Sequence, residues 1–171
     1  AAVISGLYVA DNMNFTHAIQ IDADGQHDLA AVTDFLDQAH HNPQALVCGY
    51  PIYDQTVPLS RLWGRELTNF WVHVNTRSKA LRDAMCGFRV YPLAQTLPVL
   101  PSVKTRRMDF DPDIVVRLIW AGVTVINRPV HVTYPKDGIS HFRGFSDNMR
   151  ISRLHAGHFC TMLLRRMGLA K

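Results

Sequence analysis

Strand-like and helix-like segments alternate along this chain, and the alternation is the feature that most limits its fold. Short apolar runs bounded by polar residues predict four strands, at 16–23 ("THAIQIDA"), 45–51 ("ALVCGYP"), 87–93 ("GFRVYPL") and 123–135. Segments with helical periodicity lie between and around them, at 1–13, 28–40, 59–76, 112–122 and 147–168. This order predicts an α/β protein whose sheet is mostly parallel, or mixed, and is flanked by helices.

Three residues predict where elements begin or lie. Asp28 is placed to cap the helix that follows the first strand. Pro112 suits the first turn of a helix, where its missing N–H costs nothing. Pro129 interrupts an extended segment, which predicts a strand at the edge of the sheet or a bulge.

Composition limits the class of protein and its setting. The chain has 171 residues, of which 47% are hydrophobic, enough for the core of one soluble domain. A net charge of +4 suits phosphate-bearing ligands or anionic lipid surfaces, but the basic residues form no continuous run, so a nucleic-acid partner is not expected. The three cysteines show no CxxC spacing, which predicts neither a disulfide framework nor a zinc site and favours a reducing, cytoplasmic setting.

The stretch "IQIDADGQHD" (19–28) places chemistry at the end of the first predicted strand. Ligands bind beyond the carboxyl ends of strands in open parallel sheets. Asp22 and Asp24 there offer hard oxygen ligands to Mg²⁺ or Mn²⁺, which would relieve their mutual repulsion, and Gln26 offers a neutral oxygen. Gly25 lets the backbone turn. The alternative is an Asx-turn in which the two aspartates only shape the start of the next helix.

Five motifs in one order carry a family resemblance: "IDADGQHD", "CGYP", "DAMCGFRVYPL", "RMDFDPDIVVRLIWAGV" and "RPVHVTYPKDGISHFR". Together they resemble the family 2 glycosyltransferases of GT-A fold, in the dolichyl-phosphate mannose synthase-like branch. The resemblance implies a partial GT-A catalytic domain over residues 1–150, lacking the first nucleotide-binding strands. An amphipathic helix is expected to follow at 151–171.

The resemblance also implies an activity and a metal. Members of this family move a sugar from a nucleotide-sugar donor to a polyprenyl phosphate or another acceptor. The configuration at the anomeric carbon of the sugar is inverted in the transfer. Asp22 and Asp24 match the DxD motif that holds Mg²⁺ or Mn²⁺ on the donor diphosphate, and Gln26 matches a further ligand. Two alternatives stay open: a metal-dependent nucleotidyltransferase or phosphoesterase, and a noncatalytic fragment that binds nucleotide sugars.

Two carboxylates are candidates for the general base that an alcohol acceptor needs and a phosphate acceptor does not. Asp83 precedes "AMCGFR", where related enzymes place an acidic residue near the acceptor, and it is the first choice. Asp113, at a predicted helix start, is the rival, although it also suits helix capping. Asp109 and Asp111 share its loop and cannot be separated from it by sequence.

Basic residues in two segments are candidates for binding phosphate. Arg61 and Arg65 lie four residues apart on one helix face, which suits either phosphate binding or a solvated surface. The family's usual "GSRY" nearby is replaced here by "GYPIY". In "YPKDGISHFR", the residues Lys136, His141 and Arg143 form a loop of a composition that suits closure over a diphosphate.

Apolar residues in two helical segments complete the predictions. Trp63, Phe70 and Trp71 are spaced as a core-facing stripe. The tail mixes apolar residues with arginines, a pattern that fits an interfacial membrane helix or a helix that covers the sheet. With a lipid-linked acceptor, the first interpretation places the protein in the cytoplasm, in peripheral contact with the inner face of the membrane.

Overall fold

A four-stranded sheet forms the centre of the protein in a computed structural model. The structure describes residues 2–53, 57, 59–133 and 144–169, of which 59–61 and 144–145 by their backbone alone. The strands are β1 (His17–Gln20), β2 (Leu46–Tyr53), β3 (Arg89–Pro92) and β4 (Val125–Val132), in the spatial order β1-β3-β2-β4. Each lies within a segment predicted to be extended, except that β2 runs two residues further.

The sheet is mixed, and the predicted α/β class is confirmed. β2 and β4 pair in parallel, whereas β3 is antiparallel to both β1 and β2. The parallel share is smaller than the alternation suggests, because β3 enters the sheet from the loop after a long helix and runs against its neighbours. Pro129 lies in β4, at one edge of the sheet, as its missing N–H predicts.

Helices cover the sheet, and all of them except a four-residue helix at Leu93–Thr96 lie where the sequence predicts them. They are α1 (Ala2–Asn12), α2 (Val32–His41), α3 (Leu59–Thr76), the short α4 (Leu93–Thr96), α5 (Phe110–Trp120) and α6 (Gly144–Arg166). Asp28 caps a single 3-10 turn before α2 by accepting a hydrogen bond from the Ala30 N–H at 2.9 Å. α6 runs through residue 150, where the sequence suggested a division.

Two apolar cores lie on opposite faces of the sheet because successive strand residues point in opposite directions. Val47 and Val90 face α2 and pack with Phe35. Leu46 and Tyr91 face the other way, into the larger core that α1, α3 and α5 share. The result is a sheet between two helical layers, with α6 packed outside α3.

The prediction of a core-facing aromatic stripe on α3 is wrong for Trp63 and Phe70, which are exposed. The buried side of α3 instead carries Thr68, Asn69, Val72 and Asn75. Polar groups face inward there because they bind neighbouring backbone and side chains; Asn69, for example, accepts a hydrogen bond from the Ala84 N–H at 2.9 Å. The apolar arc of α3 is left on the surface.

Across the described ranges, the structure contains no helix that is both long enough and apolar enough to span a bilayer.

Candidate active site

Three carboxylates and two arginines meet where β1 ends and β3 begins. Asp22 comes two residues after β1, Asp83 lies in the loop before β3, and Asp111 lies in the first turn of α5. Arg65 of α3 and Arg89 of β3 contribute the positive charges. Each arginine pairs with one of these carboxylates, and the negative charges of Asp22 and Asp83 act on the titration of Asp111. The fold therefore brings distant acidic residues to one end of the sheet.

The turn that carries Asp22 and Asp24, called the acidic turn below, is hydrogen-bonded to the end of β4. Asp24 accepts a hydrogen bond from the Gln26 N–H at 3.1 Å, the Asx-turn that the sequence left open, and Gly25 adopts a positive φ of 71°. The carbonyl of Gln26 then accepts from the Thr133 N–H at 3.0 Å. An Asx-turn uses only one carboxylate oxygen of Asp24, so it is compatible with a further role for that side chain.

Asp22 is held beside a histidine and a glycine. Its carboxylate lies 3.7 Å from Nε2 of His27, and its side chain stays 45% exposed. The neighbouring His27 lowers the pKa of Asp22, Arg89 and Arg65 act in the same direction, and partial burial opposes them. A Cβ atom at Gly87 would overlap this carboxylate, so only glycine leaves room for it. Asp22 is therefore ionised, its carboxylate is held in position, and one side of it is open to solvent.

Asp83 organises its own loop and holds an arginine. Its Oδ1 atom accepts hydrogen bonds from the N–H groups of Met85 and Cys86, at 2.8 and 2.7 Å, and from Nη1 of Arg65 at 2.9 Å. The residue is only 3% exposed. Asp83 and Arg65 are therefore brought together, as their predicted roles at one site require.

Arg89 and Asp111 form a buried pair beneath the site. Nη1 of Arg89, which has no exposed surface, donates to Oδ1 of Asp111 at 3.0 Å, and Nη2 donates to the Ala84 carbonyl at 2.7 Å. Gln20 of β1 also donates to Asp111, at 3.1 Å. Burial raises the pKa of Asp111 and nearby Asp22 adds to the rise, whereas Arg89 opposes it. Asp111 therefore binds a proton more readily than an ordinary aspartate.

Asp113 lies elsewhere, in a buried network between α5 and α6. Its side chain pairs with Arg117 and accepts hydrogen bonds from Nε2 of His158 at 2.9 Å and from Thr105 at 2.8 Å. The residue is 1% exposed. Asp113 is therefore surrounded by partners of its own, apart from the cluster of Asp22, Asp83 and Asp111, and its predicted role as a base stays a prediction.

The acidic turn can hold a divalent cation only if a bound substrate supplies further ligands to that cation. In the described part of the chain, no three His, Cys, Asp or Glu side chains are grouped as metal ligands. Mg²⁺, however, is commonly held by one or two carboxylates together with substrate phosphates. Asp22, ionised and half-exposed, and Asp24, with one oxygen outside its turn, suit that arrangement, and Gln26 lies next to them in the chain.

Several predicted phosphate-binding residues lie outside the described residues. Lys136, His141 and Arg143 all belong to the segment 134–143, and the side chain of Arg61 is likewise not described. Their roles stay predictions. Thr133, the last described residue before that segment, is hydrogen-bonded to the acidic turn.

Sequence reasoning missed Gln20 and Gly87, and it named Asp111 without separating it from Asp113 or pairing it with Arg89. One signal was present in "DPD" (111–113). Residues two apart on a helix point about 200° apart, so Asp111 and Asp113 cannot face the same site. No comparable signal marks Gly87. A side chain is excluded at that position only because the carboxylate of Asp22, far away in the sequence, occupies the space.

Comparison with known proteins gives one distant relative. No protein-family model matches the chain. A dolichyl-phosphate beta-glucosyltransferase of Dictyostelium discoideum is 24% identical over 106 residues, which cover 57% of this chain and 32% of the relative. The chain thus matches about a third of that protein's length. The similarity supports a distant relationship to a glycosyltransferase.

Proposed function

We propose that this chain carries part of the catalytic domain of a glycosyltransferase that moves a sugar from a nucleotide-sugar donor to a lipid-linked acceptor, such as a polyprenyl phosphate. The observation that carries the proposal is the meeting of Asp22, Asp83 and Asp111 with two arginines at the end of β1. The distant similarity to a dolichyl-phosphate glucosyltransferase supports the same class of reaction.

In this proposal the acidic turn would hold a divalent cation, Mg²⁺ or Mn²⁺, for the donor diphosphate. Asp22 and Asp24 would supply carboxylate oxygens, and Gln26 would supply an amide oxygen. A bound cation would stabilise the charge that develops on the departing nucleoside diphosphate. Gly87 and His27 keep the Asp22 carboxylate in its place on the turn.

The other two carboxylates, Asp83 and Asp111, have different roles toward the acceptor. Asp83 holds Arg65, whose guanidinium then offers positive charge to an acceptor phosphate. Asp111 is a candidate proton acceptor for an alcohol, because burial raises its pKa and a base works best when its pKa approaches the working pH. A phosphate acceptor is already ionised and needs no base.

Transfer and donor binding test the proposal together. The chain would be incubated with Mn²⁺, a panel of nucleotide sugars and a polyprenyl phosphate, with products identified by mass and donor binding measured by calorimetry. We expect Mn²⁺-dependent donor binding that Asp22→Asn and Asp24→Asn each abolish, while Asp34→Asn, a carboxylate on α2, leaves it unchanged.

Three results would contradict all or part of this function. Release of pyrophosphate or free phosphate without sugar transfer would favour a nucleotidyltransferase or phosphoesterase. Donor binding without turnover would favour a noncatalytic binding fragment. Donor binding that does not respond to either acidic substitution would remove the acidic turn as the donor site.

A further inference from the structure

Four polar side chains close a ring of hydrogen bonds between the sheet and α5. Gln20, the last residue of β1, lies opposite Arg89 of β3, and Tyr91 follows two residues later on the same face of the sheet. Asp111, in the first turn of α5, bonds to this face from above. Arg89 and Tyr91 have no exposed surface. The ring therefore connects the buried centre of the sheet to a carboxylate of the candidate active site.

The hydrogen bonds of the ring all run towards Asp111. Arg89, which has only donors, donates from Nη1 to Oη of Tyr91 at 3.4 Å. The hydroxyl of Tyr91 donates in turn to Oε1 of Gln20 at 2.9 Å. Nε2 of Gln20 then donates to Oδ1 of Asp111 at 3.1 Å. Nη1 of Arg89 closes the ring with a bond of 3.0 Å to the same oxygen, so two donors meet on one carboxylate oxygen.

This direction fixes the orientation of the Gln20 amide. With the amide reversed, its oxygen would face the carboxylate of Asp111, and two acceptors would lie in contact with no proton between them. The hydroxyl of Tyr91 would lose its acceptor at the same time. Tyr91 therefore holds Gln20 in the orientation that gives Asp111 a donor.

The ring also fixes the orientation of the Asp111 carboxylate. Among the described residues, Gln20 and Arg89 are the side chains that donate to it, and both reach Oδ1. The carboxylate cannot turn about its terminal bond without breaking both hydrogen bonds. The side chain of Asp111 is 21% exposed, whereas that of Arg89 beneath it is not exposed. Oδ2 is therefore held in one orientation and left for another partner.

The charges around Asp111 favour one kind of reacting group on the acceptor. Arg65 already pairs with Asp83, and Arg89 already pairs with Asp111, while Asp22 adds a further negative charge. A phosphate oxygen brought against Oδ2 of Asp111 would place two anions together, which costs free energy. A hydroxyl would instead donate a hydrogen bond to Oδ2. A phosphate elsewhere on the same acceptor could still bind Arg65.

We propose that Gln20 is a positioning residue for sugar transfer to a hydroxyl acceptor: anchored by Tyr91, its amide holds the Asp111 carboxylate with Oδ2 turned towards the acceptor oxygen. This role rests on the proposed function. In the transfer, the acceptor oxygen bonds to the anomeric carbon of the sugar. The bond from that carbon to the nucleoside diphosphate breaks, and its electron pair leaves with the diphosphate. The proton of the hydroxyl goes to Oδ2 of Asp111.

Transfer to two acceptors of the same chain length tests this role: a polyprenol, which offers a hydroxyl, and a polyprenyl phosphate. The full chain is assayed with Mn²⁺ and the panel of nucleotide sugars, and kcat and the KM for the donor are measured. Gln20→Met keeps the length of the side chain and removes the amide, and Tyr91→Phe removes the anchoring hydroxyl. Gln44→Met, in the turn before β2, and Tyr8→Phe, on α1, are matched controls at exposed positions.

We expect Gln20→Met to lower kcat with the polyprenol by about 10- to 100-fold, because a reacting group is displaced. The KM for the donor should change by less than about twofold, since the acidic turn is untouched. Tyr91→Phe should have a smaller effect, and it should add nothing in the double variant, because Tyr91 acts through Gln20. With the polyprenyl phosphate, which needs no base, both variants should match the unmodified chain.

The ring itself is tested without turnover. The side-chain amide resonances of Gln20 in nuclear magnetic resonance spectra should shift in Tyr91→Phe and in Asp111→Asn, and stay unchanged in Tyr8→Phe. Resonances that respond to neither ring substitution overturn the proposal. Urea unfolding checks that every variant is folded, and Tyr91→Phe carries the test if Gln20→Met is not.

The transfer assay separates a failure of this role from a failure of the proposed function. Unchanged transfer to the polyprenol in both ring variants overturns the role alone, and so does transfer by the unmodified chain to the phosphate acceptor only. An equal loss with both acceptors, or a matching loss of donor binding, also overturns it, because Gln20 would then support the acidic turn or the fold. If the unmodified chain transfers sugar to neither acceptor, the proposed function fails and the role of Gln20 fails with it.

Discussion

Asp111 and Asp113 lie two residues apart in the first turn of α5 and belong to two different regions of the molecule. Asp111 faces the end of the sheet, where burial raises its pKa and the negative charge of Asp22 adds to that rise. Asp113 faces α6, where hydrogen bonds from His158 and Arg117, together with the charge of Arg117, hold its pKa below the usual value despite burial.

The difference separates a region suited to binding a ligand from a region that stabilises the fold. At the sheet end, carboxylates are placed near one another, an arrangement that costs stability unless a ligand or cation compensates it. At the α5–α6 contact, the carboxylate has three partners and its charge is compensated within the protein. We therefore expect substitutions at the sheet end to affect activity and those at the helix contact to affect stability.

The largest expected effect is on stability at the helix contact. Asp113→Asn removes the charge that Arg117 and His158 share in a buried setting, and breaking such a pair costs roughly 3–5 kcal/mol of unfolding free energy. Urea unfolding measures the loss. The control is Asp34→Asn, whose carboxylate pairs with Arg128 on the surface and should cost less than about 1 kcal/mol. Equal losses would contradict the assigned role of Asp113.

The next effect is on activity at the sheet end. Gly87→Ala places a Cβ where the Asp22 carboxylate lies, so the carboxylate must move while the fold around it persists. We expect sugar transfer to fall about 100-fold, the size of effect that a 1 Å displacement of a reacting group causes. The free energy of unfolding should change by no more than about 1 kcal/mol.

Gly157→Ala on α6 is the matched control for Gly87→Ala. A Cβ there meets no atom within 4 Å, so activity should be unchanged and stability should rise by up to about 1 kcal/mol. Normal transfer by Gly87→Ala would show that the position of Asp22 does not matter for turnover.

The smallest effect is a pH dependence located where α6 packs against α3. Burial lowers the pKa of His155 to about 4, and His158 contributes. The unfolded chain, with a value near 6.5, binds the proton more tightly, so stability falls as the pH drops from about 6.5 to about 4. At pH 5 the loss should be roughly 2 kcal/mol relative to pH 7.5.

Urea midpoints at the two pH values measure this loss. In His155→Gln the pH dependence should flatten by that amount, whereas His40→Gln, at an exposed position, should keep it. An unchanged slope in His155→Gln would place the pH dependence outside the α3–α6 contact.

Most of the fold follows from local patterns in the sequence. The strands and long helices lie where periodicity places them, and Asp28 caps the start of its helical segment, because these features depend on neighbouring residues. The direction of β3 was not predictable in this way, since no local pattern distinguishes a parallel from an antiparallel partner. For α3, periodicity gives the width of the apolar arc but not whether protein or another molecule covers it.

The candidate site was predictable only in part. Asp22, Asp24 and Asp83 stand out because strand ends and motifs mark them. Arg89 and Asp111 depend on a contact between β3 and α5, and Gly87 depends on where Asp22 finally lies. Such relations are fixed by tertiary packing, so sequence alone could not choose Asp111 over Asp113 without following the rotation of the helix.

The hydrogen bond between Gln26 and Thr133 has a consequence for how the protein is made. The two residues lie far apart in the sequence, and contacts of large sequence separation form slowly because a long loop must close first. The acidic turn therefore acquires its final shape only after the last strand has joined the sheet. A nascent chain that has not yet extended beyond Val132 would hold both aspartates of the turn without the arrangement that could make them useful.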